Sequence, residues 1–496
     1  MNLDTDLHSI QEVRDSLQVA KKAQLILEAM SQEQIDVIVE RMAQAAQREA
    51  GRLGQLAHEE TGFGNPEDKR IKNIFASKTV YDHIKGMRTV GIIHRDEVNR
   101  VWEVAQPVGI VAGIIPSTNP TSTVIFKALI AIKARNAIVF SPHPSAKGCC
   151  LETTRVLMSA ALEAGAPEGI LYCLQRPTLE ATKELMTHKL TDLILATGGT
   201  GMIKAAYSSG KPAYGVGPGN VPVYVHPSAS PEQVAEHIIR SKTFDNGTIC
   251  ASEQALITDK SIREKLLSEL KKRGAYVLNP DEKKKVAAII MVGGSLNAKV
   301  VGRSAKAIAQ LAGIDVPAGT IMLLAEESEV GKDYPFSVEK LSPILALYTV
   351  NDWREGCKLC VRLLELGGLG HSLGLHCEDQ QIIEAFALEK PASRIIINAG
   401  TTFGGIGATT GIPPSLTLGC GSFGNNITSD NIGPKHLLNI KRVAFGIRDL
   451  KEVTAESNVE PGMITETEDR VKKLNLPISR EEVMQIVKQV LMEFKG

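Results

Sequence analysis

The sequence predicts an α/β protein with a doubly wound parallel sheet, a second α/β domain and a small β arm. Apolar runs at 108–116, 136–144 and 191–201 are each followed by a helical pattern. Apolar strands that alternate with helices are typical of a parallel sheet covered on both faces. A second strand-and-helix unit begins near Val223, and alternating apolar and polar residues at 90–105 predict a separate hairpin.

The first 90 residues are predicted to be helical, because apolar residues recur at spacings of three and four between charged ones. The residues assigned to the apolar helix faces are Leu25, Ile26, Met30, Ile35, Ile38, Val39 and Met42. The hairpin that follows has its predicted turn at 95–99. A late strand at 440–448 is expected to pair with this hairpin and complete the β arm.

The second α/β unit contains a predicted helix at 231–242 and a strand at 341–350. The segment 398–434 is dense in Gly, Asn, Pro and Thr, and a polar loop of that length usually carries function.

A short amphipathic helix is predicted at the C-terminus, beyond a polar linker at 454–477. Its apolar face consists of Val483, Ile486, Val487, Val490, Leu491 and Phe494. Ser479 and Glu482 fit a capping box, and Ile478 fits the hydrophobic staple that accompanies it. Such a helix either docks on its own protein or binds a partner groove or assembly, and the linker slightly favours the second.

The composition predicts a cytoplasmic protein that binds neither nucleic acid nor a membrane. Lysine plus arginine and aspartate plus glutamate each total 56, so the net charge is zero. No apolar stretch approaches the roughly 18 residues of a membrane span. The N-terminus lacks the basic and apolar regions of a secretory signal.

The cysteine content predicts free thiols in a reducing compartment. Eight cysteines in 496 residues make a poor disulfide framework. Cys357 and Cys360 form a CxxC pair, but their segment has an amphipathic helical pattern and no second ligand pair follows at zinc spacing. We therefore expect buried helical thiols there and no metal.

Two residues are candidates for chemistry. Cys250 lies in a polar loop, SKTFDNGTICASEQ, and a thiolate attacks an aldehyde to give a thiohemiacetal that can lose hydride. By position alone, a lone cysteine is more often a core residue. Asn119, between a strand and a helix in IIPSTNP, could stabilise an oxyanion with its amide. The alternative role for Asn119 is a helix cap or turn.

A glycine turn between a strand and a helix, ATGGTG at 196–201, could bring a pyrophosphate to a helix N-terminus. Because it is not a full GxGxxG, this motif alone is a weak signal.

The order of the motifs resembles the aldehyde dehydrogenase superfamily. The matching segments are IIPSTNP, SPHPSAKG, ATGGTG, GVGPGN, DNGTICASEQ, EKLSPILA and PSLTLGCGSFGNN. More narrowly, the sequence is similar to the CoA-acylating branch, which includes the N-terminal half of bifunctional aldehyde–alcohol dehydrogenases and microcompartment acetaldehyde and propionaldehyde dehydrogenases. The similarity covers roughly residues 10–450.

This resemblance implies site residues. Cys250 is expected to be the nucleophile, and the Asn119 amide and the Cys250 backbone N–H are expected to form the oxyanion site. His371 matches a histidine proposed to help deprotonate the incoming thiol, although alone it would more often be an ordinary loop residue. Glu339 is expected to hold the nicotinamide ribose. The other residues expected along the cofactor are Ile115, Pro116, Ser117, Ser141, Pro142, His143, Thr197, Gly198, Gly199, Thr200, Gly217 and Leu341.

The resemblance also implies the partners and the domains. NAD is the expected cofactor, with NADP as the alternative, and coenzyme A is the expected co-substrate. In the family such an arm crosses to a neighbouring subunit, so a homodimer or homotetramer is expected. The C-terminal helix resembles the encapsulation peptides of bacterial microcompartment enzymes, which makes the shell or co-encapsulated enzymes candidate partners. The expected domains are a cofactor-binding domain at 1–222 with the arm at 90–105, a catalytic domain at 223–425, a return segment and oligomerisation strand at 426–453, a linker at 454–477 and the helix at 478–496.

Departures from the family pattern predict the fate of the acyl group. Hydrolytic relatives carry an ELGGK-type segment whose glutamate activates water, whereas Gly215–Gly219 here contains no carboxylate. A thioester on Cys250 is therefore expected to wait for the thiol of coenzyme A. Ser141 and Pro144 replace a lysine and a glutamate that contact the adenosine ribose in hydrolytic relatives, which leaves NAD and NADP open. Ile203 replaces the last glycine of GxTxxG.

The expected reaction is NAD(P)-dependent oxidation of a short aldehyde, such as acetaldehyde or propionaldehyde, to an acyl-CoA. Small residues expected near the site, Thr248, Ala251, Ser415 and Thr417, are compatible with such a substrate. The alternatives are an acylating sulfoacetaldehyde dehydrogenase and a hydrolytic enzyme that releases the free acid. Retention of Cys250, Asn119 and Glu339 together disfavours a non-catalytic scaffold.

Overall fold

A computed structural model describes residues 4–450 of the chain. The linker and C-terminal helix predicted at 454–496 lie outside these residues. The chain divides into two compact units, one comprising residues up to 95 together with 102–443, the other 96–101 together with 444 onward. In the second unit, Phe445 donates its backbone N–H to the Arg100 carbonyl at 3.1 Å, and the Arg100 guanidinium lies 5.5 Å from the Phe445 ring centroid.

The N-terminal quarter of the chain is helical, as the sequence predicts. The α-helices are α1 (Thr5–Glu28), α2 (Gln32–Arg48), α3 (Ala50–Thr61), α4 (Pro66–Ile74), α5 (Val80–Ile84), α6 (Pro120–Lys133), α7 (Lys147–Glu163), α8 (Leu179–Thr187), α9 (Thr200–Tyr207), α10 (Pro231–Thr243), α11 (Arg263–Lys272), α12 (Pro280–Ile290), α13 (Ala305–Leu311), α14 (Trp353–Gly367), α15 (Gln380–Glu389) and α16 (Thr401–Gly405).

The predicted apolar face of α2 is correct and that of α1 is wrong. Residues Ile35, Ile38, Val39 and Met42 are buried. Leu25 and Ile26, in contrast, are 54% and 55% exposed. The buried face of α1 is instead formed by residues such as Leu17, Ala20 and Leu27. The prediction considered only a few residues around Leu25. The buried residues follow one face along all 24 residues of the helix, and this face does not include Leu25 or Ile26.

Two parallel sheets form the body of the first unit, which confirms the predicted α/β class. The strands are β1 (Gly91–Asp96), β2 (Val101–Pro107), β3 (Ile110–Ile115), β4 (Ala137–Pro142), β5 (Leu171–Cys173), β6 (Leu193–Thr197), β7 (Ala213–Val216), β8 (Val221–Val225), β9 (Glu253–Asp259), β10 (Ala275–Val277), β11 (Met291–Val292), β12 (Ser295–Leu296), β13 (Met322–Glu326), β14 (Ile344–Val350), β15 (Gly370–His376), β16 (Ala392–Ile397) and β17 (Leu438–Ala444). One sheet has the order β5-β4-β3-β6-β7 and the other β10-β13-β14-β9-β8-β15-β16.

The central strands are buried on both faces. Every residue of β3 and of β4 is buried, which explains why the sequence shows continuous apolar runs there and not an alternation. In the first sheet the strand order reverses between β3 and β6. A crevice outside the carboxyl ends of the strands at such a reversal is where open α/β sheets bind ligands.

The β arm has the order β1-β2-β17, so the predicted pairing of the late strand with the hairpin is confirmed. The late strand ends at Ala444, four residues before the predicted end. Cys357 and Cys360 are buried free thiols in α14, as predicted. Within residues 4–450, no helix is long and apolar enough to cross a membrane.

Asn136 connects the start of β3 to the segment before β17. Its Oδ1 accepts the Gly109 N–H at 2.9 Å, and its Nδ2 donates to the Leu437 carbonyl at 2.8 Å. Asn136→Ala would leave both buried backbone groups unpaired, so we expect it to lower the free energy of unfolding by about 2–4 kcal/mol.

The measurement is thermal unfolding followed by circular dichroism, with Asn439→Ala as the control. Asn439 is an exposed asparagine of β17 whose amide makes a longer bond, 3.3 Å, to Pro107. Equal losses of stability in the two variants would contradict the role of Asn136.

Candidate active site

A cavity of about 630 Å³ opens at the carboxyl ends of β3, β4, β6 and β7, where the strand order predicts a ligand site. It contains a single cysteine, Cys250, and a single carboxylate, Glu339, among the described residues that line it. The cavity lies within the first unit of the chain.

A left-handed turn brings Cys250 to the cavity. Three successive residues, Asp245, Asn246 and Gly247, have positive φ angles of 47°, 52° and 74°. Asp-Asn-Gly suits this conformation, because Asn, Asp and Gly tolerate the left-handed region better than other residues. A Cβ on Gly247 would lie 2.9 Å from the Ser342 carbonyl oxygen. The local sequence therefore dictates the tight turn that precedes Cys250.

The Cys250 thiol is partly exposed towards the cavity. Burial raises its pKa to about 12, and the negative charge of Glu339 acts in the same direction, while Arg394 opposes it. The thiol is thus protonated at neutral pH, and reaction requires groups that stabilise negative charge beside it.

Asn119 is the N-cap residue of α6, but its side chain makes no capping hydrogen bond. Its Nδ2 donates instead to the Thr248 carbonyl at 3.0 Å, and its Oδ1 accepts from the Lys72 ammonium at 2.5 Å. The Nδ2 also donates to the Thr118 hydroxyl at 3.2 Å, and Asn119 lines the cavity next to the turn that carries Cys250. This geometry fits an oxyanion donor better than a helix cap.

Glu339 lies in the cavity wall, and its Oε1 accepts the Gly219 backbone N–H at 2.9 Å. Burial raises the pKa of Glu339 to about 7, although the Gly219 bond and the Lys242 and Lys340 charges act against the shift. Lys340 follows directly, and its ammonium binds the Gln254, Phe336 and Val338 carbonyls. This anchor fixes the backbone on which Glu339 is held.

The other end of the cavity fits a dinucleotide. Gly199 is the N-cap of α9, and a Cβ at Gly199 or Gly217 would meet nothing within 4 Å, so there is open space beside the backbone. The Thr197 hydroxyl is buried without a hydrogen-bond partner within the described chain. An unpaired hydroxyl and a free helix N-terminus are groups that a phosphate would satisfy.

The region expected to contact the adenosine carries no acidic residue. Ser141, Pro142 and His143 line it, and the Ser141 hydroxyl is 2.8 Å from that of Thr182. A carboxylate that binds the ribose 2′-hydroxyl would disfavour NADP. Since none of the described residues lining this end is acidic, both nicotinamide cofactors fit the residues present.

His371 does not line the cavity. It is fully buried behind Gly219, where an added Cβ would lie 3.2 Å from the His371 Cε1, and its Nδ1 is 3.1 Å from the Ser372 hydroxyl. Burial, with the Arg394 charge, lowers its pKa to about 3. The imidazole is therefore neutral, and a direct proton transfer from a bound thiol would first require access to it.

The structure gathers most of the predicted site residues in one place. The predicted residues that line the cavity are Ile115, Pro116, Ser117, Asn119, Ser141, Pro142, His143, Thr197, Gly198, Gly199, Gly217, Cys250, Glu339 and Leu341. Thr200 and His371 do not line it. Of the small residues expected near Cys250, Thr248 lines the cavity. Leu416 and Leu418 line the wall in place of Ser415 and Thr417.

Lys72 lines the cavity from α4 although no sequence motif points to it. A lysine in an amphipathic helical pattern is normally a solvent-exposed charge. Lys72 is only 4% exposed because Asp245, distant along the chain, is folded against it.

Comparison with known proteins places the chain in a family. Residues 5–331 match the sequence profile of the aldehyde dehydrogenase family, and the chain belongs to that family. It is 46% identical to the aldehyde-alcohol dehydrogenase of Clostridium acetobutylicum over 441 residues, which is 88% of this chain but 51% of that protein. The chain thus spans about half the length of this relative.

Two solved structures are similar over nearly their full lengths. An acetylating aldehyde dehydrogenase from Geobacillus thermoglucosidasius is 66% identical and has a TM-score of 0.89, with 90% of this chain and 99% of that chain covered. A propionaldehyde dehydrogenase from Rhodopseudomonas palustris, solved with bound CoA and an acylated cysteine, is 28% identical with a TM-score of 0.79. The aligned regions are 87% of this chain and 97% of that one.

The charge of Glu339 is expected to suppress the reactivity of Cys250 in the free enzyme. Glu339→Gln removes that charge and lowers the pKa of Cys250, so we expect alkylation by iodoacetamide at pH 8.5 to accelerate by roughly two- to tenfold. Because Glu339 has a pKa of about 7, it is protonated in the wild type at pH 6. The ratio of variant to wild-type rate should therefore approach one there.

Alkylation is followed by intact mass, with Cys250→Ala to identify the modified thiol. Glu365→Gln, an exposed charge on α14, is the control. An acceleration that persisted unchanged at pH 6 would rule out the electrostatic explanation.

Proposed function

We propose that the chain oxidises short, uncharged aldehydes with a nicotinamide cofactor and transfers the acyl group from Cys250 to coenzyme A. One observation carries this proposal. Cys250 and the Asn119 amide share a cavity with the N-terminus of α9, and the one carboxylate among the described lining residues, Glu339, is held through its Oε1 by the Gly219 N–H. The acylated cysteine and bound CoA of the Rhodopseudomonas relative support it.

The reaction begins when the Cys250 thiol gives its proton to solvent and the resulting thiolate attacks the aldehyde carbon. A C–S bond forms, the carbonyl electrons move to oxygen, and the Asn119 amide and the Cys250 backbone N–H bind the resulting alkoxide. Gly198, Gly199 and Thr197 would hold the cofactor phosphates, and Glu339 its ribose. The cofactor, when bound, accepts the hydride that converts the thiohemiacetal to a thioester.

Deacylation depends on which nucleophile the cavity can activate. A Cβ at Gly215 would lie 3.0 Å from atoms of Ile203 and Tyr207, so this position faces α9. Glu339 is the carboxylate whose charge raises the pKa of Cys250, and its Oε1 accepts the Gly219 backbone N–H. With that carboxylate held in place, a thiol, which ionises more readily than water, is the favoured nucleophile.

The wall around Cys250 favours an uncharged substrate. Ile249, Ile406 and Leu418 belong to the apolar core and line the cavity. Lys72 is the one Lys or Arg in the described lining, and its ammonium is paired with Asp245. An anionic aldehyde would lose its hydration there without gaining a free partner charge.

The proposal also includes the assembly of the chain with other subunits. The β1-β2-β17 sheet is a separate arm of the kind that connects subunits, which supports a homodimer or homotetramer. The C-terminal helix predicted at 478–496 supports targeting to a microcompartment shell or to co-encapsulated enzymes; it lies outside the described residues.

Multiple turnovers are expected to require coenzyme A. With propionaldehyde and NAD⁺ but no CoA, the enzyme should form about one equivalent of NADH per active site, because the thioester accumulates on Cys250. Added CoA should start continuous NADH formation, with acyl-CoA as product. The readout is absorbance at 340 nm together with chromatography of the thioester.

Cys250→Ala should abolish both phases, whereas Cys149→Ala, which removes a buried thiol of α7, should keep them. Continuous NADH formation without CoA, with free acid as product, would overturn the proposal in favour of a hydrolytic enzyme.

Uncharged substrates are expected to be preferred over anionic ones. We expect kcat/KM for propionaldehyde to exceed that for sulfoacetaldehyde or succinate semialdehyde by roughly 100-fold, since an anion would lack a free cationic partner. A panel of short aldehydes with CoA, assayed with NAD⁺ and NADP⁺, gives these ratios. Equal or higher kcat/KM for sulfoacetaldehyde would reverse the substrate assignment and favour the sulfonated alternative.

A further inference from the structure

Two buried lysines lie on one face of α4, directly behind the oxyanion site. Lys69 and Lys72 are 2% and 4% exposed. They are three residues apart, so their side chains project from the same face of the helix. Burial of two ammonium groups is costly unless each is paired and hydrogen-bonded, so their presence here calls for a functional explanation.

Asp245 is the carboxylate that pairs with both lysines. Its Oδ2 accepts from Lys69 at 3.1 Å and from Lys72, and its Oδ1 accepts the Asn65 backbone N–H at 2.9 Å. Burial acts to raise the pKa of Asp245, but the two lysines outweigh it and hold the pKa below its ordinary value. Asp68, half-buried nearby, is the other charged group facing this cluster and binds the Asp245 backbone N–H.

The backbone is shaped to admit this carboxylate. Asp245 itself has a φ of 47°, in the left-handed region. At Gly64, whose φ is 65°, a Cβ would lie 1.6 Å from the Asp245 Oδ1. Any side chain at Gly64 would therefore displace the carboxylate. The segment that precedes α4 and the turn that precedes Cys250 are thus both shaped to accommodate this cluster.

Only one of the two lysines reaches the catalytic amide. Lys72 Nζ donates to the Asn119 Oδ1 at 2.5 Å and to the Thr248 hydroxyl at 3.0 Å. Lys69 Nζ donates to the Thr118 carbonyl at 3.1 Å and does not contact the Asn119 side chain. The two residues thus share a carboxylate and a degree of burial but differ in their other contacts, and only Lys72 binds the Asn119 side chain.

The contact has two consequences for Asn119. An ammonium can only donate, so the amide oxygen faces Lys72 and the amide NH₂ faces the Thr248 carbonyl and the Thr118 hydroxyl, which also lies in the lining of the cavity. A charged donor on the oxygen also withdraws electron density from the amide nitrogen, which strengthens its N–H groups as donors. Both effects favour a negative oxygen bound at the NH₂.

We propose that Lys72 is a positioning residue for the oxyanion site, which orients and polarises the Asn119 amide and thereby accelerates acylation of Cys250. The inference rests on the proposed role of Asn119 in that step. In the step, the Cys250 thiolate forms a bond to the aldehyde carbon and the carbonyl π electrons move to oxygen. The carbon then loses hydride to the oxidised cofactor and becomes the thioester carbonyl. Burial lowers the pKa of Lys72 to about 8, with the Asp245 charge acting against this shift, so the ammonium form predominates at neutral pH.

The test compares Lys72→Met with Lys69→Met in the full-length enzyme. Both changes remove one ammonium from Asp245, so both should lower the melting temperature by similar amounts. The rate of the first NADH turnover, measured by stopped flow without CoA, should fall by roughly 10- to 100-fold in Lys72→Met and by less than about threefold in Lys69→Met. KM for the aldehyde should change little in either variant, because the contact acts on the transition state.

A double-mutant cycle with Asn119→Ala separates polarisation from a general structural effect. Once the amide is absent, Lys72→Met should slow the first turnover by less than about twofold further. Equal rate losses for Lys72→Met and Lys69→Met, or the full Lys72→Met loss on top of Asn119→Ala, would overturn the proposal. Should Lys72→Met fail to fold, Lys72→Gln and Lys69→Gln replace the pair, with the same order of rates expected.

The first turnover precedes deacylation, so this outcome does not depend on whether CoA or water removes the acyl group. Turnover without CoA would therefore contradict the proposed function. The role of Lys72 would still be tested by the first-turnover rates of its variants.

Discussion

Burial of the reactive sulfur is the constraint on which the rest of the site depends. The surroundings of Cys250 are largely apolar, with Ile249 and Leu418 in the cavity wall, and they oppose its ionisation. The same surroundings strengthen every oriented dipole, because few water molecules compete with it. The amide of Asn119 can therefore stabilise charge on a substrate oxygen more effectively than it could in water.

The same constraint bears on how the thioester is cleaved. The proposed selectivity for a thiol over water depends on Glu339, the one carboxylate among the described residues that line the cavity, being held by the Gly219 N–H and not activating water. Glu339 is retained, but its bond to Gly219 and its raised pKa suit a group that binds a hydroxyl. Under the proposed function, a site can thus change its second half-reaction while Cys250 and Asn119 stay in place.

Sequence was informative where local pattern and chemistry agree. The buried strands β3 and β4 appear as apolar runs, and the motifs around Asn119, Thr197 and Cys250 predict residues that the fold brings to one cavity. The sequence was uninformative where contacts between distant residues determine whether a side chain is buried. Lys72 has the pattern of a surface lysine until Asp245, 173 residues away, folds against it. Equally, no local pattern could show that His371 is enclosed behind Gly219, outside the cavity lining.

The most direct test of the account is the lifetime of the acyl group on Cys250. Enzyme mixed with propionaldehyde and NAD⁺ is quenched at intervals and its intact mass recorded, first without CoA and then after CoA is added. We predict a propionyl adduct on Cys250 that persists in buffer and disappears when CoA arrives, with an equivalent of propionyl-CoA formed. Rapid loss of the adduct in buffer alone, with release of propionate, would contradict the account.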